Sequence, residues 1–243
     1  MADTGRAAGT GRTAGTGRTA GSERAARTVV LINPNTSATT TAMMTAIARR
    51  TLGPALPVRG VTVARGPRML TDPAALRAAA PEVLAAGVAA TAGGDCAALL
   101  VAAFGDPGLA ALREATGLPV AGLGEAALLE AAADGAPFGI ATTTPLLADA
   151  ITARVAELGL SGLYTGLRLT AGAPEHLSAD PAVLLDRLER AVRACAERDG
   201  ARTVVIGGGP LGEAAEELRT RCAVRIVAPV PAACRSLARL LTE

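Results

Sequence analysis

Four short segments of the sequence carry amide, hydroxyl and glycine residues where chemistry at a strand end is expected. They are NPNTS (33–37), FGDPG (104–108), TTTP (142–145) and GGGP (207–210). Each segment ends an apolar run and precedes a helical pattern, so each is predicted to hold a helix N-terminus. Unpaired N–H groups and the positive end of the helix dipole make such a turn a receptor for negative charge. A carboxylate or an enolate-like oxygen is the expected ligand.

Three of these turns contain a proline placed for the start of a helix. Pro107, Pro145 and Pro210 each follow a residue that suits an N-cap. Proline is well accepted at the first helical position, because its missing N–H has no partner there. Asp106, which precedes Pro107, is therefore predicted to cap the helix that follows it, with a role as general base as the alternative.

Short apolar runs alternate with longer helical patterns from Thr28 onward. Such alternation predicts a series of βαβ units and an α/β fold with a mainly parallel sheet. The carboxyl ends of parallel strands lie at one edge of a sheet, which brings the four turns together. The runs predicted as strands are VVLIN (29–33), VRGVTVA (58–64), AALLVAAF (97–104), LPVAGL (118–123), FGIATT (138–143), TVVIGG (203–208) and VRIVAPV (224–230).

The order of these elements repeats within the chain. Residues 29–47 resemble residues 138–155, each reading as a strand, a Thr-rich turn and a helix. Residues 96–112 resemble residues 201–218, each reading as a strand, a Gly-rich turn and a helix. The repeat predicts two pseudo-symmetric α/β lobes with a cleft between them. The first would span 28–133 plus 223–243, whose final strand and helix return to it, and the second 134–222.

The composition limits the classes of partner. Half of the 243 residues are apolar, but there are only one Tyr, two Phe and no Trp, so no aromatic platform is available for stacking bases. Nucleic acid is therefore an unexpected partner. Residues 1–28 hold five arginines against two acidic residues, a net charge of +3, within Thr-Gly-Arg repeats. Residues 1–27 are predicted to be a disordered tail.

No apolar run suits a signal peptide or a membrane span, so a cytoplasmic protein without a membrane partner is predicted. The four cysteines show no CxxC spacing, and the chain has one histidine. A disulfide framework and a metal site are therefore not expected. His176, in a polar connection, reads as a solvated residue rather than a catalytic one.

Five segments in the same order resemble the aspartate/glutamate/hydantoin racemase superfamily, closest to its hydantoin racemase branch. They are LINPNTS (31–37), AAFGDPGL (102–109), GLGEAA (122–127), ATTTP (141–145) and VVIGGGPLG (204–212). The resemblance implies two similar lobes with the active site between them, and cofactor-independent chemistry at an acidic carbon. The resemblance also implies a mechanism in which one cysteine removes a proton from the substrate carbon as thiolate. A second cysteine returns a proton on the opposite face of that carbon. Family members often form homo-oligomers.

This sequence departs from the family at both cysteine positions. The first is occupied by Ala103 and the second by Gly208. Cys96 would lie roughly 20 Å from the cleft, at about 3.3 Å per residue along its strand. Cys195 and Cys222 fall at the wrong end of the sheet. Cys234 alone is predicted near a helix start, where a thiol pKa can fall, although a place in the core is the alternative.

The residues predicted to contact the substrate come from the four turns. Asn and Thr side chains there either bind a ligand carboxylate or cap their own helix, and glycines allow close approach and a larger cavity. Glu125 is predicted at a helix start, behind the substrate, and Tyr164 is left unassigned. The predicted binding residues are Asn35, Thr36, Phe104, Gly105, Thr142, Thr143, Thr144, Gly208 and Gly209.

The sequence thus predicts a racemase-like or isomerase-like enzyme without cofactor. Its substrate would be a small carboxylate or a hydantoin-like cyclic imide, held through an oxyanion-stabilised intermediate. Two alternatives stay open. One is a decarboxylase, lyase or cyclase on the same fold, since loss of CO2 needs an oxyanion receptor more than two opposed proton carriers. The other is a protein that binds a small anion without catalysis.

Overall fold

The structure is a computed structural model that describes Met1 and residues 28–242. Apart from Met1, the predicted disordered tail therefore lies outside the described residues. Two short 3-10 helices, Pro145–Leu147 and Gly209–Leu211, precede α5 and α8. The strands and α-helices are, in chain order, β1 (Thr28–Asn33), α1 (Ala38–Leu52), β2 (Val58–Thr62), α2 (Pro73–Thr91), β3 (Cys96–Val101), α3 (Leu109–Thr116), β4 (Val120–Gly122), α4 (Leu123–Ala132), β5 (Phe138–Thr142), α5 (Ala148–Glu157), β6 (Tyr164–Leu169), α6 (Pro174–Ala179), α7 (Pro181–Glu197), β7 (Thr203–Ile206), α8 (Gly212–Arg221), β8 (Arg225–Val227) and α9 (Pro229–Leu240).

Two four-stranded sheets confirm the predicted α/β class. The first has the order β2-β1-β3-β4 and the second β6-β5-β7-β8, and all the strand pairs are parallel. The central strands β3 and β5 are buried along their whole length, as continuous apolar runs in parallel sheets require. Within the residues that the structure describes, no helix is both long and apolar enough to span a membrane.

Strand β6 is absent from the predicted set of strands. Its sequence, YTGLRL, lies at the edge of the second sheet and is only partly buried. Gly166 within it has φ of 124°, which an ordinary strand residue does not adopt. An edge strand with a central glycine lacks both the continuous apolar run and the regular alternation that identify a strand in a sequence.

The internal repeat corresponds to a shared backbone register in the two sheets. The Ala102 N–H donates to Ile32 O at 2.8 Å, and the Gly207 N–H donates to Ala141 O at 2.8 Å. Each of these bonds extends the pairing of the two central strands by one residue. The next residues, Ala103 and Gly208, therefore hold equivalent positions in the two lobes.

The last strand, β8, and the last helix, α9, belong to different lobes. Strand β8 pairs with β7, so the prediction that this strand returns to the first lobe was wrong. Helix α9 does return, and packs on α1, β3 and β4. Parallel strands need a crossover between them, and α8 crosses from β7 to β8, which keeps β8 in the second sheet.

Helix α4 makes the reciprocal crossing. It follows β4 of the first sheet, yet it packs on β7 and β8 of the second, and it also contacts α9. Leu123 and Ala126 join the apolar cluster of the first lobe, together with Cys234 of α9. Leu128 and Ala131 join the cluster around Phe138 of the second lobe. The two sheets are therefore held together by a pair of exchanged helices.

Candidate active site

A cavity of about 840 Å³ lies where the four predicted turns meet at the carboxyl ends of the strands. Both lobes contribute to it, and Ala103 and Gly208 line it together. Two of the nine predicted binding residues, Thr36 and Thr142, do not line it. The seven that do are Asn35, Phe104, Gly105, Thr143, Thr144, Gly208 and Gly209.

Asn35 is held by its neighbours so that its amide nitrogen is left for the cavity. The buried Asn33 Nδ2 donates to Asn35 Oδ1 at 2.8 Å, and the Ser37 N–H donates to the same oxygen at 2.9 Å. Asn35 Nδ2 donates to no other residue in the described part of the chain. The cap of α1 is Ser37, whose Oγ accepts from Thr40 N, so Asn35 is not needed for that role.

The three consecutive threonines have different roles. Thr142 is fully buried, and its hydroxyl donates to Gly207 O at 2.6 Å, which ties the turn of β5 to the turn of β7. Thr144 Oγ1 lies 3.2 Å from Thr142 Oγ1. Thr143 lines the cavity, and among the described residues its hydroxyl has no hydrogen-bond partner. Thr143 therefore offers a free hydroxyl to a ligand, whereas Thr142 is structural.

Backbone N–H groups of both lobes are also unpaired at the cavity. An N–H without a protein partner needs water or a ligand as its acceptor, so a cluster of such groups marks a place where a ligand can accept hydrogen bonds. No described residue accepts from the N–H groups of Ala103, Phe104, Gly105, Thr143, Thr144 and Gly209, all of which line the cavity.

Thr36 turns away from the cavity toward the chain that follows β2. Its N–H donates to Pro67 O at 3.1 Å, and its hydroxyl lies 3.4 Å from Gly66 O. The same connection carries Arg68, Met69 and Leu70, which line the cavity. Thr36 therefore supports one wall of the site from behind.

Asp106 caps a different helix from the one predicted. Helix α3 begins at Leu109 with Gly108 as its N-cap and no side-chain cap. The Asp106 carboxylate instead accepts from the N–H groups of Gly124 and Glu125, at 2.9 and 2.7 Å. Asp106 has φ of 46°, the left-handed conformation, and this backbone turn directs its side chain to α4. Burial raises the pKa of Asp106 to about 7, against the effect of those two hydrogen bonds.

Among the three consecutive glycines, Gly208 is the position where an added Cβ would meet a single residue. A Cβ on Gly209 would lie 2.9 Å from Met44 Sδ and 3.2 Å from Ala102 O, inside the core. A Cβ on Gly208 would meet only the side chain of Leu211, at 3.0 Å from its end. The φ of Gly208, 172°, is extended backbone that any residue adopts. A cysteine at position 208 therefore requires the Leu211 side chain to move by a few tenths of an ångström.

Charged groups lie at the mouth of the cavity rather than on its floor. Arg68, Glu175, Glu213 and Glu217 line it, and all four are exposed. The floor is formed by the turns, whose cavity-lining residues carry amides and hydroxyls but no ionisable side chain. Among residues 28–242, no group of three His, Cys, Asp or Glu side chains is placed to hold a metal ion.

The cysteines do not replace the missing thiols, since none of the four lines the cavity. Cys234 is fully buried in the core against the first sheet, where burial raises the pKa of its thiol to about 12, so the core alternative is confirmed. Burial raises the pKa of Cys195 to about 11 and also raises the pKa of Cys222. Cys96 lies at the start of β3, at the opposite end of the strand from Ala103.

A smaller cavity of about 200 Å³ adjoins the large one. Leu76, Phe104 and Thr144 are among the residues that line both. Behind this shared wall the smaller cavity is mainly apolar, with Ile151 and Leu128, and Arg154 also lines it. The turns therefore stand between two compartments of unequal size.

The remaining predicted residues lie outside both cavities. Glu125, at the start of α4, pairs with Arg113 and Arg154 at 2.5 and 2.8 Å. His176 is exposed on the short helix α6 rather than in a loop. The Tyr164 ring lies 5.8 Å from that of Phe138, within the second lobe.

Sequence reasoning missed the walls of the site. Leu76 of α2 lines the cavity without any strand-end signal, and so does the segment from Pro174 to Leu185, which contributes six residues. They are reached only through the packing of helices. Asn33 was missed as the residue that orients Asn35, although its place at the end of β1, where an apolar side chain is expected, was a usable signal.

The residues that form the two lobes match a known protein family. Residues 29–237 match the model of the Asp/Glu/Hydantoin racemase family. The chain belongs to this family, whose members are enzymes of the racemase and isomerase type.

Named relatives agree with this assignment. The hydantoin racemase of Paenarthrobacter aurescens is 26% identical over 207 residues, covering 85% of this chain and 88% of the relative. The allantoin racemase of Klebsiella pneumoniae superimposes with a TM-score of 0.82 at 25% identity, covering 88% of this chain and 87% of that one. Arylmalonate decarboxylase shares the fold, with a TM-score of 0.63 at 23% identity over 88% of this chain and 92% of that one.

Proposed function

We propose that this racemase-family chain catalyses proton exchange at the acidic carbon of a hydantoin-like cyclic imide or a small carboxylate. The carbonyl beside that carbon would sit in the receptor formed by the turns. The observation that carries the proposal is the set of unpaired donors on the cavity floor: six backbone N–H groups, Asn35 Nδ2 and the Thr143 hydroxyl.

These donors suit the charge that develops during deprotonation. When the C–H bond breaks, its electron pair forms an enolate, and the negative charge moves to the carbonyl oxygen. Fixed donors in a buried site stabilise this oxygen without reorganising, which is the main requirement for such a transition state. Donors contributed by both lobes allow a ring with two carbonyl groups to be held on two sides.

The proton carriers must differ from those implied by the family resemblance. With Ala103 and Gly208 in place, neither face of the substrate meets a thiol. Water or hydroxide in the cavity accepts the proton, and water returns one to the carbanion. Because general acid-base groups contribute about 10²–10⁴-fold, exchange is expected to be slow compared with a two-thiol enzyme.

The test is solvent deuterium incorporation at the acidic carbon. The full chain would be incubated in D2O with 5-benzylhydantoin, with allantoin and with free amino acids, and followed by NMR against protein-free samples. We expect saturable incorporation above background, reduced in Thr143→Val. The matched control is Thr45→Val, which removes a buried hydroxyl that does not line the cavity and should leave the rate unchanged.

Decarboxylation is the second candidate, and the missing thiols favour it. Loss of CO2 also leaves an enolate on the same receptor, but it needs one protonation and no base. Incubation with an α-substituted malonate would decide between the two. Release of CO2 without deuterium incorporation into hydantoins or amino acids would replace the first proposal with the second.

Binding without turnover is the remaining outcome. Saturable binding of these compounds by calorimetry, with neither exchange nor CO2 release at any concentration, would show a protein that binds small anions and would overturn both proposals. The cytoplasmic location, the absence of a cofactor and the homo-oligomeric state stay predictions from the sequence.

A further inference from the structure

We propose that Asp106 is a positioning residue that fixes the first-lobe half of the donor cluster by clamping the Ala103–Gly105 turn to helix α4. Its link to catalysis rests on the proposed function, whereas the clamp itself is tested independently of activity.

The turn before Asp106 has few supports of its own. The Ala102 N–H donates to Ile32 O, and the Asp106 N–H donates to Ala103 O at 3.0 Å. Between these bonds, the N–H groups of Ala103, Phe104 and Gly105 bond to no described residue, and all three residues line the cavity. Something other than the turn's own backbone must therefore hold these donors in place.

Helix α4 supplies that support through Asp106. The Asp106 carboxylate accepts from Gly124 N and Glu125 N, and Asp106 is the one non-glycine residue with positive φ in the described part of the chain. A side chain that satisfies two N–H groups of a helix start offsets such a backbone conformation.

The glycines at the start of α4 make this contact possible. A Cβ on Gly122 would overlap the Asp106 carboxylate, and a Cβ on Gly124 would overlap Phe104 O. The start of α4 is therefore in close contact with the turn at two points, the Asp106 carboxylate and Phe104 O. The segment GLGE (122–125) therefore forms the surface that receives this turn.

The clamp also connects the two halves of the donor cluster. Helix α4 leaves the first sheet and packs on β7, the strand that ends at the Gly207–Gly209 turn. Asp106 thus attaches the first-lobe turn to the helix that lies behind the second-lobe turn. Loss of this attachment is expected to disturb the spacing between the donors of the two lobes.

The charge state of Asp106 should modulate the clamp near neutral pH. Burial raises the pKa of Asp106 to about 7, and the charged groups that face it are Arg154 of α5, which lowers the pKa, and Glu125, which raises it. Glu125 is itself paired with Arg113 and Arg154. Ionisation strengthens the hydrogen bonds from Gly124 N and Glu125 N, so the clamp should tighten as pH rises through about 7.

Global stability should move in the opposite direction. The pKa of Asp106 is higher in the folded chain than in the unfolded one, where it is near 3.8. The stability contributed by this group is therefore fully present below about pH 4 and is lost as pH rises through about 7. A tighter clamp together with a lower free energy of unfolding distinguishes Asp106 from an ordinary helix cap.

The experiment measures amide hydrogen exchange and NMR shifts in the full chain. In Asp106→Asn, which accepts from only one of the two N–H groups, we expect about tenfold faster exchange at Gly124 and Glu125 and shifted amide signals at Phe104 and Gly105. The control is Asp180→Asn, since Asp180 also accepts from two N–H groups at a helix start, on α7. It should leave those four signals unchanged.

A titration of the unmodified chain guards against a variant that does not fold. The amide signals of Gly124, Glu125, Phe104 and Gly105 should move together with one inflection near pH 7. If only Gly124 and Glu125 respond, in the variant or in the titration, Asp106 is a cap and the positioning role is wrong.

Activity supplies the last readout and separates this inference from the proposed function. If deuterium incorporation is observed, its pH profile should show an inflection near 7 that Asp106→Asn removes. If no incorporation occurs but the four amide signals respond together, the clamp stands and the proposed function fails. Incorporation with an unchanged pH profile in Asp106→Asn would overturn the link to catalysis.

Discussion

The two lobes end their central strands in equivalent turns that are supported in different ways. The first-lobe turn, Ala103–Gly105, is fastened by Asp106 to a helix that begins after β4. The second-lobe turn, Gly207–Gly209, runs directly into the 3-10 helix Gly209–Leu211 and receives a hydrogen bond from Thr142 of the adjacent strand. The first support joins the turn to the start of a helix, and the second joins two paired strands.

This difference shows that two turns with the same backbone register can be held in place by different contacts. The carbonyl and amide positions repeat because the strands pair in the same register in both lobes. The side chains around them have diverged, so equivalent substitutions in the two turns should have unequal effects.

The largest effect is expected when thiols are placed at both equivalent positions. Ala103→Cys combined with Gly208→Cys should raise deuterium incorporation into 5-benzylhydantoin by about 100-fold, because each face of the acidic carbon then meets a group that can carry a proton. Gly208→Cys requires only a small movement of Leu211. The rate is measured by NMR in D2O.

The control for this pair is Ala103→Ser with Gly208→Ser, which adds similar volume but no group that ionises near neutral pH. It should leave the rate close to that of the unmodified chain. A folded double cysteine variant with no gain over this control would show that the two positions do not flank one substrate carbon.

The next largest effect is a difference in the free energy of unfolding between substitutions beside the two turns. Gly124→Ala forces a Cβ against Phe104 O and should lower the free energy of unfolding by about 3 kcal/mol. Gly208→Ala meets only Leu211 and should cost less than about 1 kcal/mol. Urea denaturation measures both. Equal losses would contradict the unequal support of the two turns.

The smallest effect concerns single donors on the floor. Thr143→Val removes a hydroxyl with no partner, so it should weaken substrate binding by about fivefold and leave the melting temperature unchanged. Asn35→Asp keeps the oxygen that accepts from Asn33 and Ser37 but replaces the donor that faces the cavity. It should weaken binding of an anion more than Thr143→Val does, as measured by calorimetry.

The outcome for Asn35→Ala differs from that for Thr143→Val. Asn35 accepts two hydrogen bonds in a buried place, so truncation should also destabilise the fold by about 1–3 kcal/mol. A loss of binding in that variant alone would not separate the two roles. If Thr143→Val instead lowers the melting temperature while affinity holds, the hydroxyl is structural.

The turns and the two-lobe architecture were predictable because local signals coincide with global ones. Apolar runs that end in Asn, Thr, Gly and Pro mark strand ends, and the repeat of 29–47 at 138–155 places those ends in equivalent positions. The resulting cavity includes seven of the nine residues predicted to bind substrate. Thr36 and Thr142 were predicted with them because they are sequence neighbours of residues that line the cavity. Neighbours in a sequence do not all face the same way, and these two do not line it.

Long-range contacts account for what the sequence did not predict. Asp106 has the residue type and position of a local cap, and only the approach of α4 shows its partner. The place of β8 depends on which edge of which sheet is open, which no segment of sequence encodes by itself. Residues from α2, α6 and α7 line the cavity because of helix packing, which depends on the whole molecule.

The exchange of α4 and α9 between the sheets has a consequence for how this chain can be divided. A cut near residue 134 would give two halves that each keep a sheet but lose the helix that shields one of its faces. Neither half should be stable alone, whereas co-expressed halves should reassemble. The repeat within the sequence therefore divides the chain into two similar pieces, whereas the smallest unit expected to fold cooperatively is the pair.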